Sequence, residues 1–591
     1  MLTEDIKQML STTIKKLTGK VPESIHLEPS DNPDHGDFST NSALTTSKQL
    51  KNKAPLVRGG ANESEQGVFS SPREVAEELI AALPENDLIS KTDIAGPGFI
   101  NFWLSDKAYR EAFSWLNNKI DQNSFGVLDI GKAQTAITDT SHPNVAKPMG
   151  VHHLLSTIIG QSINNLLKTC GYTLIKDNYL GDWGTQFGKL TYAIKTWGHM
   201  EVIKSDPIPE LLKLYVKFHE EAEQNPTLED QGRMEFKRLE EGNPESRKLL
   251  QWIVDLSLTE FQNIYDRLGV DFDLMNGESF YEDKMESIIK EGVRKGIIVE
   301  GEKGALIIPM NDPNKPPAII RKKDGATLYA TRDLARIKYW QDELKGDLGI
   351  NVVDIAQKLY FEQLFESAQK MGFTKMKQVH IDFGRMEFPE GGMSTRKGKV
   401  VLLEEVLDEA ERRAYEKIES HDSELSEQGK HELARIMGIG AIKYNVLSQN
   451  RNKNYTFDWN QMLSFEGNSA PYLQYAYTRT QSILKKVAED QNPRLDDPQL
   501  RVYEPEEKQL IKTIISFEDI IKRSLENYKP NLLCTYLFEL AQSFSQFYNN
   551  LRILDAESEE EILTRLQLVK DTAYVLKKGL EILGVEVPER M

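Results

Sequence analysis

The C-terminal end of the chain has the clearest pattern of hydrophobic and polar positions. Apolar residues recur in alternating steps of four and three, which places them on one face of an α-helix: Ile562, Leu566, Val569, Ala573, Leu576, Leu580 and Leu583. Gly584 follows as a capping residue, and Pro588 prevents the helix from continuing. The chain beyond residue 400 is helical in character, so the pattern predicts an all-α region at 461–591, preceded by a connecting segment at 401–460.

Alternating strands and helices are predicted between residues 133 and 400. Strand signals begin short segments throughout this part of the chain: "AQTAITDT" (133–140), "TLIKDNYL" (173–180), "INVVDIAQKLYFEQLF" (350–365) and "KQVHIDFG" (377–384). Helical spacing from Leu154 to Leu167 joins the first two strands into a βαβ unit. These features predict a doubly wound, Rossmann-like parallel sheet, with a charged helical insertion at about 190–300.

Residues 1–106 have the mixed pattern of a small α+β unit. The stretch 71–83 has helical spacing, and 94–105 combines a turn with a strand. The polar, Gly-rich stretch 51–71 lacks periodicity, which predicts a flexible surface insertion. Residues 107–132 are predicted to be a linker between this unit and the sheet.

Length and composition limit the class of protein. A chain of 591 residues with 39% hydrophobic and 28% charged residues is expected to form several globular domains. No apolar run reaches the roughly 18 residues of a membrane span, and the acidic N-terminus is unlike a secretory signal. Only Cys170 and Cys534 could form a disulfide or a cysteine-based zinc site, so we expect a cytoplasmic protein without structural zinc. With a net charge of −18, any nucleic acid must be bound by local basic patches.

One β-to-α connection concentrates polar groups that suit a phosphate site. The loop "DTSHPNVAKPMGVHH" contains Asp139, Asn144, Lys147, His152 and His153, and it follows a predicted strand. Ligands of doubly wound sheets bind at the carboxyl ends of strands, where helix N-termini attract anions. A solvated polar loop is the alternative interpretation of any single residue here, but five such groups in one connection favour a binding site.

A second loop is both basic and rich in glycine. The segment "GGMSTRKGKVV" (391–401) carries Arg396, Lys397 and Lys399 after the last predicted strand. Such a loop is suited to closing over phosphates, although a basic surface turn has the same composition.

Together the two loops resemble the HIGH and KMSKS signatures of class I aminoacyl-tRNA synthetases. Further segments resemble the arginyl-tRNA synthetase family in particular, and they run from end to end of the chain: "GDFSTNSA" (36–43), "GPGFINF" (96–102), "SHPNVAKP" (141–148), "NYLGDWGTQFG" (178–188), "TLYATRD" (327–333), "GMSTRKGKVV" (392–401), "LSFEGNSAPYLQYAYTR" (463–479) and "LGVEVPERM" (583–591). The resemblance implies a Rossmann-like class I catalytic domain, an α+β N-terminal domain that binds the tRNA elbow and an α-helical anticodon-binding domain.

The family activity is implied in the same way. Arginine is activated with ATP, accompanied by Mg²⁺, to arginyl-adenylate, and is then transferred to the 3′ end of tRNA(Arg). Activation is expected to require tRNA, and the protein is expected to act as a monomer without a membrane partner.

The resemblance assigns five residues to the amino acid: Asp139, Asn144, Tyr329, Asp333 and Gln357. Carboxylates, a phenol and amides suit a guanidinium, which keeps its charge and presents a planar set of donors. Two structural alternatives are left open by the sequence. Tyr329 alternates like a strand residue, and Asp333 could be the N-cap of a helix at 334–343.

The resemblance also assigns a nucleotide site. Its members are Lys147, Gly150, His152, His153, Met393, Ser394 and Arg396, with Lys147, His153, Arg396 and Lys397 as the catalytic set. The second lysine of the general KMSKS signature is replaced by Thr395, so the resemblance suggests that Lys147 supplies the missing charge.

The histidine motif departs from the family pattern His-x-Gly-His. This chain has Gly150-Val151-His152-His153, so the first histidine is absent and a histidine replaces the glycine. We expect His153 to contact the phosphates, and His152 either to turn away or to stack on adenine, because neighbours on a helix diverge by about 100°. His142, in the same loop, is a candidate to take the role of the missing histidine.

Contacts with tRNA are implied at both ends of the chain. The N-terminal candidates are Asn32, Asp37, Phe38 and Asn41, and the C-terminal candidates are Tyr472, Tyr475, Arg479 and Met591. Aromatic side chains near an arginine suit stacking on unpaired bases, although Tyr472 fits the core of a helical bundle equally well.

Three alternative functions are compatible with parts of the sequence. A class I synthetase for another amino acid, such as cysteine, would require a cysteine-based zinc site, which two distant cysteines cannot form. A non-catalytic RNA-binding paralogue is suggested by the altered histidine motif, but it does not explain the retained polar residues. A nucleotidyltransferase that does not use tRNA leaves the helical C-terminal region unexplained.

Overall fold

The computed structural model describes residues 2–22, 24–30, 33–51, 56–57, 66–67, 71–301, 304–323, 325, 327–387, 401–421, 425–489, 502 and 504–591. Several residues predicted to form sites lie outside these ranges: Asn32, Met393, Ser394, Arg396 and Lys397. Most of the predicted insertion 51–71 lies outside them as well.

The N-terminal elements form an α+β unit, as the sequence predicts. They are α1 (Leu2–Thr18), β1 (Leu27–Pro29), β2 (Phe38–Thr40), α2 (Ser42–Lys51), β3 (Leu56–Val57), β4 (Gln66–Gly67), α3 (Pro72–Ala81), β5 (Ile89–Ala95), β6 (Phe99–Leu104) and α4 (Asp106–Asp121). Four strands form an antiparallel sheet in the order β1-β2-β6-β5.

The prediction of a linker at 107–132 is wrong for its first half. Residues 106–121 form the helix α4, which Ser105 caps by accepting a hydrogen bond from the backbone of Ala108 at 3.1 Å. Phe113 and Leu116 are fully buried on its inner face. Residues 106–121 have the apolar spacing of a helix, which the prediction of a linker did not take into account.

The central region contains the predicted strand and helix alternation. Its elements are β7 (Thr135–Asp139), α5 (Val151–Thr169), β8 (Thr173–Asp177), α6 (Thr185–Trp197), α7 (Met200–Ser205), α8 (Pro207–Gln224), α9 (Thr227–Glu240), α10 (Pro244–Arg267), α11 (Glu282–Arg294), β9 (Val299–Glu300), β10 (Leu306–Ile308), β11 (Ala318–Arg321), α12 (Tyr329–Asp342), β12 (Leu348–Asp354), α13 (Lys358–Met371), β13 (Lys377–Phe383) and β14 (Met386–Glu387). Strands from the two halves join in one parallel sheet, in the order β13-β12-β7-β8. The helices α6–α11 form the predicted insertion.

Among the described residues from 401 onward, helices predominate and one short strand is present. The elements are α14 (Leu403–His421), α15 (Glu427–Ser448), β15 (Tyr455–Thr456), α16 (Trp459–Met462), α17 (Ala470–Glu489), α18 (Pro505–Ile515), α19 (Phe517–Asn527), α20 (Pro530–Asn550) and α21 (Glu559–Ile582). The all-α C-terminal prediction is confirmed. No helix in the described ranges is long and apolar enough to span a membrane.

The described residues divide into two compact units, and neither follows the chain continuously. The first unit contains Met1–Phe125, Arg479–Glu518 and Glu539–Leu576. Within it, Lys508 on α18 forms an ion pair of 2.7 Å with Asp106 at the start of α4. The second unit contains the parallel sheet and consists of Gly126–Thr478, Asp519–Phe538 and Lys577–Met591.

Helix α5 is the central helix of the second unit and is buried along most of its length. Gly160 lets it approach β7 closely, because a Cβ atom at this position would lie 2.2 Å from Thr140. Near its C-terminal end, the amide of Asn165 donates to the backbone carbonyls of Glu581 and Ile582, at 3.1 and 3.2 Å. The same helix therefore connects the sheet to the last turn of α21.

Candidate active site

A cavity of about 500 Å³ opens at the carboxyl ends of β7 and β12, beside the start of α5. Residues predicted to bind arginine or ATP line it together: Asp139, Asn144, His152, His153, Tyr329, Asp333 and Gln357. Two neighbouring parallel strands end at this edge of the sheet, which is where ligands of such sheets bind. The structure therefore brings both halves of the predicted site into one cavity.

Asp139 is the last residue of β7 and is completely buried. Its Oδ2 accepts a hydrogen bond from Nη1 of Arg336, and its Oδ1 lies 3.1 Å from Nδ1 of His142. Burial alone would raise the pKa of Asp139, but the charges and hydrogen bonds of His142 and Arg336 hold it below the ordinary value. The backbone N–H of Tyr179 also donates to Oδ1 at 3.3 Å, so the carboxylate that we expected to bind the substrate already has three partners within the chain.

Arg336 fills the space between the two carboxylates assigned to arginine. Its Nη2 donates to Oδ1 of Asn351 at 2.8 Å, and its Nε lies 3.5 Å from Oδ1 of Asp333. The guanidinium also lies over the rings of Tyr179 and Trp340, 4.3 and 4.9 Å from their centroids. This buried cation links β7, β12 and α12 beneath the cavity.

Asp333 lines the cavity and has one buried carboxylate oxygen that accepts no hydrogen bond. The residue is 6% exposed, and its Oδ2 accepts a hydrogen bond from the hydroxyl of Tyr360. Its Oδ1 has no hydrogen-bond donor and only the 3.5 Å ionic contact with Arg336. A buried carboxylate oxygen in this state is a suitable acceptor for a guanidinium N–H.

Helix α12 begins earlier than residue 334, where the sequence analysis placed the start of this helix. Leu328 is its N-cap and Tyr329 its first residue, so the interpretation of Tyr329 as a strand residue is wrong. Asp333 lies inside the helix, so it is not the N-cap either. Residues four apart share one face of a helix, which directs both Tyr329 and Asp333 toward the cavity. Tyr329 is 63% exposed at the rim.

A further acidic residue in the cavity comes from the helical insertion. Glu278 lines the wall and accepts a hydrogen bond of 3.1 Å from Nη1 of Arg332. Burial, with the charges of Asp333 and Asp182 nearby, raises the pKa of Glu278 to about 7 despite the opposing charge of Arg332. The free cavity therefore holds a carboxyl group that titrates near neutral pH.

The first turn of α5 forms another part of the cavity wall. The backbone N–H of Gly150 donates to Nδ1 of His153 at 3.1 Å, which fixes the ring with its other nitrogen available. Burial, with His152 and His142 nearby, lowers the pKa of His153 to about 3, so this imidazole is neutral. A neutral ring whose Nδ1 accepts a hydrogen bond carries its proton on Nε2 and can donate it to a ligand.

His152 does not turn away from its neighbour. The ring centroids of His152 and His153 are 3.9 Å apart, with an angle of 42° between the planes, and both rings line the cavity. The expected divergence of about 100° applies to the Cβ directions, whereas each ring centre lies well beyond Cβ and can turn back. The divergence of the Cβ directions therefore does not keep the two rings apart.

His142 holds a strained position in the same loop. Its backbone has a φ of 62°, a left-handed conformation that non-glycine residues rarely adopt. Its Nδ1 faces Asp139, and its Nε2 lies 3.2 Å from the backbone carbonyl of Val352 on β12. Because both nitrogens have partners, His142 is not a free substitute for the missing histidine.

Lys147 does not line the cavity. Its Nζ lies over the ring of Tyr215 on α8, 5.6 Å from the centroid, in a small neighbouring recess. The loop before it is fixed locally, because the backbone N–H of Ala146 donates to the hydroxyl of Ser257 at 3.0 Å. A role for Lys147 at the phosphates therefore requires its side chain to leave Tyr215.

The predicted basic loop rejoins the described chain beside the histidines. Val401 is the first described residue after 388–400, and its carbonyl accepts the backbone N–H of Val151 at 3.1 Å. Leu403 in turn donates to the carbonyl of Met149 at 2.9 Å. Val401 and Leu403 therefore lie next to the first turn of α5.

The N-terminal residues predicted to bind tRNA differ in their accessibility. The carboxylate of Asp37 accepts hydrogen bonds from the hydroxyl of Tyr109 at 2.5 Å and from the backbone of Leu104 at 2.7 Å. Phe38 is 2% exposed in β2, and Asn41 is half-buried before α2. Asp37 and Phe38 therefore have structural contacts of their own, and their role with tRNA stays a prediction.

The residues predicted to bind tRNA near the C-terminus also differ in their accessibility. Tyr475 is exposed, whereas Tyr472 is half-buried with its ring 5.5 Å from that of Phe538. The guanidinium of Arg479 lies 5.1 Å from the ring centroid of Tyr548. Met591 is half-buried. The packing of Tyr472 agrees with the alternative of a core residue in the helical bundle.

Several polar residues that line the cavity were not predicted from the sequence, among them Tyr179, Glu278, Arg336, Asp354 and Tyr360. A signal existed for Arg336, since positions 329, 333 and 336 share one face of a helix. Tyr179 follows the second strand of the βαβ unit, which also marks a site-forming position. Glu278 lies in a region of many charged residues, where no local pattern distinguishes it.

Metal-binding chemistry has no obvious place among the described residues. No group of three or more histidine, cysteine, aspartate or glutamate side chains converges there as metal ligands. Cys170 and Cys534 are buried free thiols, and burial raises the pKa of both.

Comparison with known protein families gives three matches along the chain. Residues 116–459 match the family described as tRNA synthetases class I (R), catalytic domain. Residues 4–104 match the arginyl tRNA synthetase N-terminal domain, and 473–591 match the DALR anticodon binding domain.

Individual relatives agree with these matches. A protein named arginine–tRNA ligase from Fusobacterium nucleatum subsp. nucleatum is 39% identical over 560 residues, covering 95% of this chain and 94% of that protein. One of the same name from Halothermothrix orenii is 41% identical over 528 residues, covering 89% of this chain and 92% of that protein.

Solved structures share the fold. Arginyl-tRNA synthetase from Plasmodium falciparum aligns with a TM-score of 0.82 at 24% identity, covering 100% of this chain and 99% of that one. The enzyme from Thermus thermophilus aligns with a TM-score of 0.81 at 23% identity, covering 100% of both chains. With a catalytic-domain match over more than half of its length and relatives near 40% identity, the chain belongs to the class I arginyl-tRNA synthetase family.

Proposed function

We propose that this protein is an arginine–tRNA ligase, which activates L-arginine with ATP and transfers it to the 3′ end of tRNA(Arg). The observation that carries the proposal is the polarity of the cavity. Its lining combines the acidic side chains of Asp333 and Glu278 with two imidazoles at the start of α5. A cationic side chain and an anionic nucleotide would therefore both find partners in one site.

Asp333 and Glu278 are the groups that receive the substrate guanidinium, with Tyr329 at the rim. Asp139 supports them through Arg336, since its own carboxylate is occupied. Asn144 and Gln357, both exposed on the cavity wall, are assigned to the α-amino and carboxylate groups of the substrate. A lysine substrate lacks the planar set of donors and would be rejected.

In the reaction, the substrate carboxylate attacks the α-phosphate of ATP, and pyrophosphate leaves. Nε2 of His153 donates to the phosphates, and Gly150 holds the ring in the required tautomer. Mg²⁺ enters with ATP as the substrate complex and shares the neutralisation of charge. Lys147, Met393, Ser394, Arg396 and Lys397 are assigned to the same nucleotide, as the sequence suggests.

The predicted tRNA contacts and domain boundaries are kept as part of this proposal. Tyr475 and Arg479 present an aromatic ring and a cation that suit unpaired bases of the anticodon region. Asn32 and Asn41 are assigned to the tRNA elbow. We further propose that the protein acts in the cytoplasm as a monomer.

Arginine-dependent exchange of pyrophosphate into ATP tests the activity, measured with and without tRNA(Arg). We expect exchange with arginine only, and only when tRNA is present. Lysine in place of arginine is the matched control and should give none. Absence of exchange in every condition would reject the enzyme proposal, and exchange driven by another amino acid would reject the specificity.

A further inference from the structure

The segment that follows β8 is bonded to the loop that follows β7. Its motif "NYLGD" (178–182) contributes Gly181 to the cavity wall. The backbone N–H of Gly181 donates to the carbonyl of Pro143 at 3.0 Å, and its carbonyl accepts the N–H of Val145 at 3.1 Å. Asp182 ends the motif and does not line the cavity itself. Its contacts are with a different part of the chain.

The carboxylate of Asp182 fixes the loop that precedes α11. Asp182 is 5% exposed, and it accepts the backbone N–H of Ser279 at 2.8 Å and the hydroxyl of Ser279 at 2.5 Å. Gly277 packs against the same carboxylate so closely that a Cβ atom there would overlap it. Glu278, between these two residues, donates its backbone N–H to the carbonyl of Leu180 at 3.0 Å. One side chain therefore contacts both neighbours of Glu278.

Glu278 is the residue of this loop that lines the cavity. Its Oε2 accepts a hydrogen bond from Nη1 of Arg332 at 3.1 Å, and Nε of Arg332 donates to Glu282 at 2.9 Å. Helix α12 thus fixes the carboxylate, whereas the loop fixes the backbone of Glu278. Because Glu278 belongs to the insertion and not to the parallel sheet, its place in the cavity depends on how this loop is attached.

We propose that Asp182 is a positioning residue for the arginine site, which holds the loop 277–279 so that Glu278 faces the substrate guanidinium. This inference rests on the proposed function, since it concerns a residue assigned there to that guanidinium. A role limited to the stability of the insertion is the competing explanation. In that case a substitution of Asp182 would not distinguish arginine from ATP.

Asp182 also contributes to the electrostatic environment of Glu278. Burial raises the pKa of Glu278, and the negative charge of Asp182 raises it further. Other ionisable groups that face Glu278 are Arg332, Asp333, Glu282 and Tyr179. Removal of the charge at position 182 should therefore move the ionisation of Glu278 to lower pH. A purely structural role of Asp182 does not predict this shift.

Two substitutions at position 182 separate the contact from the charge. Asp182→Ala removes both, whereas Asp182→Asn removes the charge and retains an oxygen that can accept from Ser279. The matched control is Asp347→Asn, because Asp347 accepts the backbone N–H of Thr135 at 2.8 Å at the opposite edge of the parallel sheet. Each variant is compared with the wild type for KM for arginine, KM for ATP, the pH dependence of kcat/KM for arginine and thermal unfolding.

The positioning role predicts that Asp182→Ala raises the KM for arginine by roughly 10-fold or more, the effect of one lost hydrogen bond to a charged group. The KM for ATP should change little. Asp182→Asn should raise the KM for arginine less, and its kcat/KM for arginine should rise at lower pH than in the wild type. Equal increases in the KM values for arginine and ATP would overturn the proposal.

A double variant tests whether Asp182 acts through Glu278. In a Glu278→Gln background, Asp182→Ala should cause little further increase in the KM for arginine, because the residue that Asp182 positions no longer carries a charge. Full additivity of the two substitutions would overturn the proposal.

Hydrogen–deuterium exchange tests the attachment of the loop without the reaction. We expect the backbone amides of Glu278 and Ser279 to exchange faster in Asp182→Ala than in the wild type or Asp347→Asn, since both N–H groups are hydrogen-bonded in the attached loop. Unchanged deuterium exchange would overturn the proposal. Failure of the proposed function has a different result, a wild type without arginine-dependent pyrophosphate exchange. An active wild type whose KM for arginine is unaffected by Asp182→Ala rejects only the role of Asp182.

Discussion

Arg336 on α12 donates a hydrogen bond to Asp139 at the end of β7, although both lie beneath a cavity suited to a substrate guanidinium. The chain thus binds its own arginine with one of the carboxylates expected for the substrate. Asp333 differs from Asp139, because its buried Oδ1 accepts no hydrogen bond and has only the 3.5 Å ionic contact with Arg336. The substrate therefore meets a site whose buried charges are already partly balanced.

Removing that internal cation should destabilise the fold. Arg336→Met leaves Asp139 as a buried charge without its main partner, and we expect a loss of about 3 to 5 kcal/mol in the free energy of unfolding. Urea unfolding measures it. Lys338→Met is the control on the same helix, because the pair of Lys338 with Asp342 is partly exposed and should change stability by less than about 1 kcal/mol. A double variant with Asp139→Asn should lose less than the sum of the single changes, and strict additivity would contradict the pairing.

The carboxylate of Asp333 should determine the affinity of the protein for arginine. Asp333→Asn keeps the shape but loses the charge, so we expect kcat/KM for arginine to fall by roughly 10- to 100-fold, the effect of one charge-assisted hydrogen bond. The KM for ATP should change little, since Asp333 is assigned to the guanidinium. Asp342→Asn, at the far end of α12, is the matched control. Equal losses for arginine and ATP would indicate a general disturbance of the site.

Glu278 should make arginine use depend on pH. Its pKa is raised to about 7 in the free protein, so below that pH it holds a proton that the cationic substrate must displace. We expect kcat/KM for arginine to rise as pH increases through about 7, and Glu278→Gln to abolish this rise. Glu291→Gln on α11 is the control, because Glu291 pairs with Lys295 on the same helix. A wild-type profile without an inflection near 7 would contradict the assignment.

Lys147 should be required for the activation of arginine with ATP, although its Nζ lies over the ring of Tyr215. Loss of one group that stabilises charge in a transition state lowers kcat by about 100-fold or more, and we expect this for Lys147→Ala. Lys147→Arg should retain part of the rate. Lys189→Ala provides the control, because Lys189 is bound to Glu229 at 2.8 Å. Exchange at the wild-type rate in Lys147→Ala would show that the cation is supplied elsewhere.

Asp571 should make the stability of the protein depend on pH. This carboxyl is fully buried in α21, accepts one hydrogen bond of 2.8 Å from Gln567 and leaves Oδ2 without a donor. Burial raises its pKa from 3.8 to about 8, so the folded protein holds a proton that the unfolded chain releases.

The sign follows from proton binding. Between about pH 4 and pH 8 the contribution of this group to stability falls as pH rises, by up to about 1.4 kcal/mol per pH unit. Asp571→Asn should remove this part of the slope in urea unfolding. Asp230→Asn is the exposed control, since Asp230 forms a surface pair with Arg233 on α9. An unchanged slope in Asp571→Asn would contradict the prediction.

The sequence predicted the sheet because its signals are local. The β7-α5-β8 unit follows from an apolar run, a helical spacing and a second apolar run, and each lies within one short stretch of chain. Tyr329 and Asp333 were assigned to the site by resemblance and do line the cavity. Only their secondary structure was left open, since a strand and the first turn of a helix are difficult to distinguish over so few residues.

What the sequence did not predict depends on contacts between distant segments. Glu278 reaches the cavity because the insertion α6–α11 folds back onto the sheet, and no periodicity encodes that approach. The pairing of Asp139 with Arg336 joins residues 197 positions apart. The convergence of the His152 and His153 rings also depends on side-chain rotation, which helical spacing does not fix.

The amide of Asn165 has a consequence for how α5 can move. It holds two carbonyl groups at the end of α21, while about three and a half turns earlier along α5, by helical geometry, the histidines face the cavity. At that other end, the backbone N–H of Val151 donates to the carbonyl of Val401. The helix is therefore held at both ends, and it cannot slide along its axis without breaking these hydrogen bonds.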